Sequence, residues 1–214
     1  MRRVALILLS IAVAGFVYNA VAGDSAPITV MAADKDKPTR FAPGRAETYA
    51  GHQTLDKITI AAIPYVTEED TRAAFDKLNP NKYGVLPVLV VMDNGTGKAL
   101  RLTLKAEFVT ADGQHIDATP ADDVTYIDGL RKPPKIFNPN PIAVAFPKEK
   151  KGPLNEWQIT GHAFNAKLLP PGESVSGFFY FQTAPEPGSR VYLTGVKDAA
   201  TGQDYFYFEV PIQK

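Results

Sequence analysis

The closing stretch of the chain, residues 168–212, alternates apolar and polar side chains in three short runs that Gly/Pro turns separate. The runs cover residues 175–183, 190–196 and 205–212. Period-two alternation puts every second side chain on the same face, as in a strand of an antiparallel sheet that packs on one side. The pattern therefore predicts three antiparallel strands and restricts the fold to a β-rich class.

The N-terminal half predicts four further strands and one short helix. The strands cover residues 57–65, 83–92, 100–109 and 115–118. Asn94-Gly95 separates the second from the third, and this dipeptide favours a tight hairpin, so these strands and the fourth should form a meander. Pro87 lacks an amide hydrogen and predicts a bulge or a sheet edge at that point. The helix is expected from Thr67 to about Leu78, because acidic residues follow Thr67 in the first turn.

Seven predicted strands are typical of a β-sandwich. The turns at Asp93-Asn94-Gly95, Thr110-Ala111-Asp112-Gly113 and residues 169–174 add a more specific likeness. Through them the chain resembles the immunoglobulin-like domains of unknown function in exported bacterial proteins, over residues 57–212. The resemblance implies an all-β, immunoglobulin-like antiparallel β-sandwich with short helical insertions. It implies no catalytic residue.

Residues 1–22 have the composition of a secretion signal. Two arginines precede an apolar run at residues 4–18, and Ala20-Val21-Ala22 offers the small side chains that a signal peptidase requires. The run is shorter than the roughly 20 residues of a membrane-spanning helix. The sequence therefore predicts an exported bacterial protein, periplasmic or secreted. The alternative is an uncleaved N-terminal anchor, which would then be the only membrane contact.

Two segments are predicted after the leader. Residues 23–45 are rich in Asp, Lys, Ala and Pro and lack an apolar period, which indicates a disordered tether. Residues 46–214 are expected to form a single domain, which must be stabilised by apolar burial because the chain has no Cys. A Pro-rich insertion at about residues 119–164 interrupts this domain, with short helices near both of its ends. Long loops often carry function, so residues 133–153 are a candidate contact segment.

Composition and motifs exclude several classes of function. The 23 basic and 23 acidic residues balance and form no basic stripe, so nucleic acid is not an expected partner. His52, His115 and His162 are not spaced as metal ligands, so no metal site is predicted. The sequence contains neither a Gly-x-Ser-x-Gly elbow nor a phosphate-binding glycine loop. Neither a catalytic residue nor a cofactor is therefore predicted.

Aromatic side chains supply the candidate binding site. If the last three strands are neighbours, four tyrosines share one face of the sheet: Tyr180, Tyr192, Tyr205 and Tyr207. Trp157, in the insertion, is expected to pack on that face. Tyrosine rings offer flat apolar area with a polar tip, which suits sugars or extended peptides. The alternative is that the insertion covers these rings and that they are structural.

The sequence as a whole predicts a non-enzymatic envelope or secreted module that binds another macromolecule, a protein or a glycan of the cell envelope. A carbohydrate-active or other hydrolytic accessory protein is one alternative, and a purely structural envelope protein is another. An exposed tyrosine face favours binding. Two carboxylates about 5–10 Å apart in a cleft would favour glycoside hydrolysis.

Overall fold

Nine β-strands and three short α-helices make up the part of the chain that is described by the structure, a computed structural model. The described residues are 41–127, 152–154 and 156–213. The predicted leader at residues 1–22 and nearly all of the predicted tether at residues 23–45 lie outside them. Most of the candidate contact segment at residues 133–153 also lies outside the described residues.

The elements follow in chain order. The strands are β1 His52–Leu55, β2 Ile58–Pro64, β3 Leu86–Asn94, β4 Leu100–Val109, β5 His115–Asp117, β6 Leu168–Leu169, β7 Ser174–Phe181, β8 Arg190–Asp198 and β9 Tyr207–Pro211. The helices are α1 Glu68–Phe75, α2 Ala121–Val124 and α3 Trp157–Gly161, with 3-10 turns at Ala46–Thr48 and Pro80–Tyr83. All seven predicted strands form. The hairpin strand β1 and the two-residue strand β6 were not predicted.

The strands form two antiparallel sheets. The first sheet has the order β1-β2-β3-β7 and the second has the order β5-β4-β8-β9, with β6 pairing to the start of β4. Both contribute to one buried apolar cluster, which includes Ile60 and Val90 from the first sheet and Phe108, Val191 and Phe208 from the second. The all-β class is therefore confirmed, with the main core between two sheets.

The central strand β3 is buried along its whole length. Leu86, Val88, Val90 and Met92 contribute to the core between the sheets. Leu89 and Val91 point the other way, into a second apolar cluster. This arrangement explains the unbroken apolar run of β3, because both faces of the strand are covered.

The second cluster is closed by a layer that we call the cover: α1, α2, α3 and the 3-10 turn Ala46–Thr48. Its apolar side chains include Ala46, Phe75, Val124 and Ile159, which pack with Phe178 of the first sheet. The helix α1 begins with a capping box, in which the Thr67 hydroxyl accepts the Asp70 amide hydrogen and the Asp70 carboxylate accepts that of Thr67. The prediction of this helix start is confirmed.

The cover is attached to the edge strand β7 by main-chain hydrogen bonds and close packing. Phe178 donates its amide to the His162 carbonyl (2.8 Å), and Phe164 donates to the Phe178 carbonyl (3.0 Å). A Cβ added at Gly177 would lie 2.4 Å from the Phe164 Cα, so only glycine permits this approach. The end of the insertion is therefore docked directly onto the first sheet.

The predicted meander is wrong at its first turn. β3 and β4 do not pair; they belong to different sheets, and the turn between them crosses the core. Asn94 stabilises that crossing, since its side-chain amide donates to the carbonyls of Lys98, Leu169 and Pro170. The Asn-Gly dipeptide therefore serves a buried inter-sheet connection. The next turn does join paired strands, because β4 and β5 form a hairpin.

The interpretation of Pro87 as a bulge or an edge is also wrong. β3 lies between β2 and β7, and its register with β7 runs unbroken through Pro87. The Pro87 carbonyl accepts the amide hydrogen of Tyr65, which directly follows the last residue of β2. The nitrogen of Pro87 faces the β2 side of the strand as well, at a point where β2 has already ended. Its missing hydrogen therefore interrupts no ladder.

Candidate binding face

The outer face of the second sheet, turned away from the core, is the candidate site, and we call it the open face. Strand register places its side chains in rows across β4, β8 and β9. One row joins Lys105, Thr194 and Tyr207, and the next joins Glu107, Tyr192 and Glu209. Tyr207 is 51% exposed, and Tyr192 is partly exposed. Aromatic and charged side chains therefore meet the solvent together here.

Two of the predicted tyrosines meet on this face. The rings of Tyr192 and Tyr207 stack with centroids 5.2 Å apart and planes inclined by 25°. The His115 ring meets Tyr192 edge-on at 6.0 Å, and its Nδ1 hydrogen-bonds the Glu107 carboxylate at 2.6 Å. Because an ionised carboxylate only accepts, Nδ1 is the donor. The open face thus carries an aromatic strip whose polar neighbours are fixed in place.

A line of backbone irregularities crosses the second sheet beside this strip. The register between β4 and β8 shifts between Leu102 and Lys105. Gly195 on β8 has φ +89°, and Phe206, just before β9, has φ +61°. A Cβ at Gly195 would lie 2.1 Å from the Thr103 carbonyl oxygen, so a glycine is required there. Positive φ is unfavourable for phenylalanine, which makes Phe206 a strained position.

This strain resets the alternation along the chain. Tyr205, before the irregular residue, packs against the core between the sheets, whereas Tyr207, after it, lies on the open face. Phe206 is 79% exposed, although simple alternation predicts that it points inward with Phe208. Gly195 shifts the alternation of β8 in the same way, because Leu193 and Val196 both face the core although they are an odd number of residues apart. Tyr205 is therefore not part of the predicted face.

Tyr180 is also absent from the open face, because β7 belongs to the first sheet. It is 1% exposed and lies under the cover, where its hydroxyl donates to the Ile159 carbonyl at 2.7 Å. Burial raises its pKa well above the ordinary range. Tyr180 is therefore a structural residue covered by the insertion, as the alternative interpretation expected. Of the four tyrosines predicted to share a face, Tyr192 and Tyr207 do so.

Trp157 lies on the cover, on the side of the first sheet remote from the open face. It is 66% exposed, and its ring contacts His162 edge-on at 5.4 Å. The expectation that it packs on the tyrosine face is wrong. Phe206, next to Tyr207 in the chain, is an exposed aromatic residue that the alternation did not predict. The only signal in the sequence was the polar Gly202-Gln203-Asp204 turn that precedes it.

The turn between β8 and β9 is held by a buried carboxylate. Asp198 Oδ1 accepts the amide hydrogens of Ala200 and Thr201 at 2.8 and 2.9 Å, and Oδ2 pairs with Lys98 Nζ at 3.1 Å. The two backbone donors and the lysine lower the pKa of Asp198 to about 2. This anchor fixes the loop that presents Phe206.

A cleft of about 750 Å³ opens between β7, β4–β5 and the ends of the insertion. Three carboxylates line it, those of Glu107, Asp117 and Asp122. Asp117 and Asp122 are exposed, and Glu107 is bonded to His115. Glycoside hydrolysis needs one carboxyl group kept protonated by burial. Neither Asp117 nor Asp122 is buried, so neither carboxyl group meets that requirement.

Two further features are absent from the part of the chain that the structure describes. Within the described residues, no three His, Cys, Asp or Glu side chains are grouped so that they could hold a metal ion. None of the described helices has the length and apolar character needed to span a membrane.

The fold and the site define an all-β protein with two antiparallel sheets and an aromatic strip on the outer face of one. No protein-family model matches the chain, and no curated protein matches it. Among solved structures, it is similar to the crystal structure of a protein from Bordetella pertussis that is assigned to ApaA. The TM-score is 0.32 and the identity 14%, over 76% of this chain and 90% of that one. A likeness at that level carries no argument about function.

Proposed function

We propose that this chain is an exported, non-enzymatic, immunoglobulin-like module that binds another macromolecule of the cell envelope through its open face. The strand order supports the immunoglobulin-like assignment. Named A to G, β2-β3-β7 correspond to strands A-B-E, and β5-β4-β8-β9 correspond to C′-C-F-G. In immunoglobulin sandwiches the strands divide between the sheets in this way. Export rests on the composition of residues 1–22.

The observation that carries the binding role is the contrast between the two outer faces. The outer face of the first sheet is covered by helices, whereas the second sheet leaves the stacked Tyr192 and Tyr207 in contact with solvent. A structural module would gain stability by covering these rings too. Aromatic side chains at a solvent-facing surface are typical of interfaces, where they supply most of the binding energy.

The double variant Tyr192→Ala/Tyr207→Ala tests the proposal. The full-length chain, tagged and crosslinked in envelope extract, should capture a partner that can be identified, and the double variant should lose it. Tyr126→Ala/Trp157→Ala is a matched control, because both of its aromatics are exposed but lie away from the open face. Equal loss of capture in the control, or capture by the tyrosine variant at the wild-type level, would contradict the proposal.

A further inference from the structure

We infer that the ligand of the open face is an uncharged glycan chain and that Phe206 is a third aromatic contact for it. This inference rests on the proposed function and names the ligand class for the same surface. Four properties of the face and its margin support it: the net charge, the backbone pairing of the central strands, the kinds of side chain and the backbone strain at Phe206.

The charges of the open face cancel. Register places four basic and four acidic side chains on it: Arg101, Lys105, Arg190 and Lys197 against Glu107, Asp117, Asp204 and Glu209. Two of the pairs are in contact, since Arg190 lies 3.8 Å from Glu209 and Lys197 lies 3.3 Å from Asp204. A surface without net charge neither attracts a polyanion nor selects a charged peptide by its potential. A partner that is itself uncharged fits this surface.

The two central strands of the face, β4 and β8, leave little backbone for a peptide to pair with. β4 and β8 lie in the interior of the second sheet and are hydrogen-bonded to strands on both sides. An extended peptide that is recognised through its main chain adds to a sheet edge instead. A ligand that lies across β4 and β8 is therefore recognised by side chains.

The side chains match a sugar. The C–H face of a pyranose is apolar and weakly positive, and it rests on the negative face of an aromatic ring, such as the face of Tyr207 that is turned away from Tyr192. The carboxylates of Glu107 and Glu209 lie in the same row as Tyr192, and the guanidinium of Arg190 lies in the next row. The carboxylates can accept hydrogen bonds from sugar hydroxyl groups, and the guanidinium can donate to them. Flat apolar rings beside hydrogen-bonding groups are the complement of a neutral glycan.

Phe206 extends the aromatic strip. Its ring is 79% exposed, and it follows an Asx turn in which its amide donates to Asp204 Oδ1 at 3.0 Å. A glycine or asparagine adopts its positive φ more easily, and a polar side chain suits its exposure better. Backbone strain that presents an exposed aromatic points to a role in binding. Phe206 directly precedes Tyr207 in the chain, so a ligand that lies on Tyr207 and extends past the start of β9 can reach the Phe206 ring.

Affinity electrophoresis of the full-length chain tests this inference. The gels contain one neutral polymer each (dextran, amylose, xylan or galactomannan), or heparin as the charged comparison. At least one neutral polymer should retard the wild type more than heparin does. Phe206→Ala and Tyr207→Ala should each weaken that retardation about tenfold, the factor that corresponds to about 1.4 kcal/mol. Tyr126→Ala, at a residue that is about as exposed as Tyr207 but remote from the open face, should leave it unchanged.

The outcomes separate the glycan assignment from the proposed function. If no neutral polymer retards the chain, or if heparin retards it more strongly, the glycan assignment is overturned, while Tyr192- and Tyr207-dependent capture of a protein partner would preserve the binding role. If a glycan binds equally well to the Phe206 and Tyr207 variants, the glycan site is elsewhere and the inference fails. Melting temperatures of all the variants show that each one is folded.

Discussion

Tyr180 on the first sheet and Tyr207 on the second come from strands with the same alternating pattern, yet their surroundings are opposite. Tyr180 is 1% exposed and bonds the backbone of α3, whereas Tyr207 is 51% exposed and stacks only on Tyr192. The insertion makes the difference, because its ends hydrogen-bond to β7 and its helices cover the outer face of the first sheet and leave the second sheet open. Alternation therefore defines two faces for each strand, and the outer face becomes core or surface according to what is packed on it.

Tyr180 and Tyr207 should differ strongly in what each contributes to the free energy of unfolding. Tyr180→Ala should reduce the free energy of unfolding by about 3–5 kcal/mol, because it leaves a cavity beneath the cover and an unpaired carbonyl at Ile159. Tyr207→Ala should cost less than about 1 kcal/mol, since it removes one cross-strand contact in solvent. Urea titration of both variants measures the difference. Similar losses would show that the open face is part of the stabilising core.

Gly195 should be the most sensitive glycine of the second sheet. Gly195→Ala should destabilise by about 3 kcal/mol, since its Cβ would overlap the Thr103 carbonyl and its φ is positive. Gly202→Ala is the control: its φ is also positive, +73°, but nothing lies within 4 Å, so it should cost only about 1 kcal/mol. Thermal unfolding compares the two. Equal costs would remove the steric explanation.

Acid should weaken the cover before it weakens the second sheet. The pKa of His162 is lowered from its ordinary 6.5, chiefly by burial. The unfolded chain therefore takes up the proton first, and the contribution of His162 to stability is lost as the pH falls below about 6.5. Asp198 ionises with a pKa of about 2 in place of 3.8, so its contribution persists down to about pH 4 and is lost between there and about pH 2.

Melting temperatures across this pH range test both windows. His162→Gln should flatten the decline between about pH 7 and 5, and Asp198→Asn should flatten the decline below about pH 4. A wild-type protein whose stability is constant between about pH 7 and 5 would contradict the first assignment. An unchanged acid limb in Asp198→Asn would contradict the second.

The smallest expected effect is a gain in stability. Phe206→Gly relieves the strain of the positive φ and removes an exposed ring, so it should stabilise the fold by about 1 kcal/mol. This gain is what is left after the loss that arises because glycine gives the unfolded chain more conformational freedom. The same variant should lose binding at the open face, as expected when function maintains strain. Guanidinium unfolding measures the change. A loss of stability greater than about 1 kcal/mol would identify Phe206 as a packing residue.

The sequence was a good guide to local structure. Alternation located β4, β7 and β8 closely, and the Thr67 cap located the start of α1, because these signals depend on neighbouring residues alone. It was a poor guide to pairing. Asn94-Gly95 predicted a hairpin but joins two sheets, and the tyrosine face predicted from three strands was divided between two layers. Strand pairing depends on contacts between residues that are distant in the chain, which a local pattern does not contain.

The amino-acid sequence was enough to show that the described part of this protein is β-rich, that β3 is buried on both faces, and that the charges of the whole 214-residue chain balance. Only the tertiary structure decided which aromatic rings meet the solvent. Phe206 is exposed because a positive φ opposite Gly195 shifts the alternation by one residue, and Tyr180 is buried because distant helices dock on its sheet. Both outcomes arise from packing between separate segments, and period-two patterning fixes only the two faces of each strand.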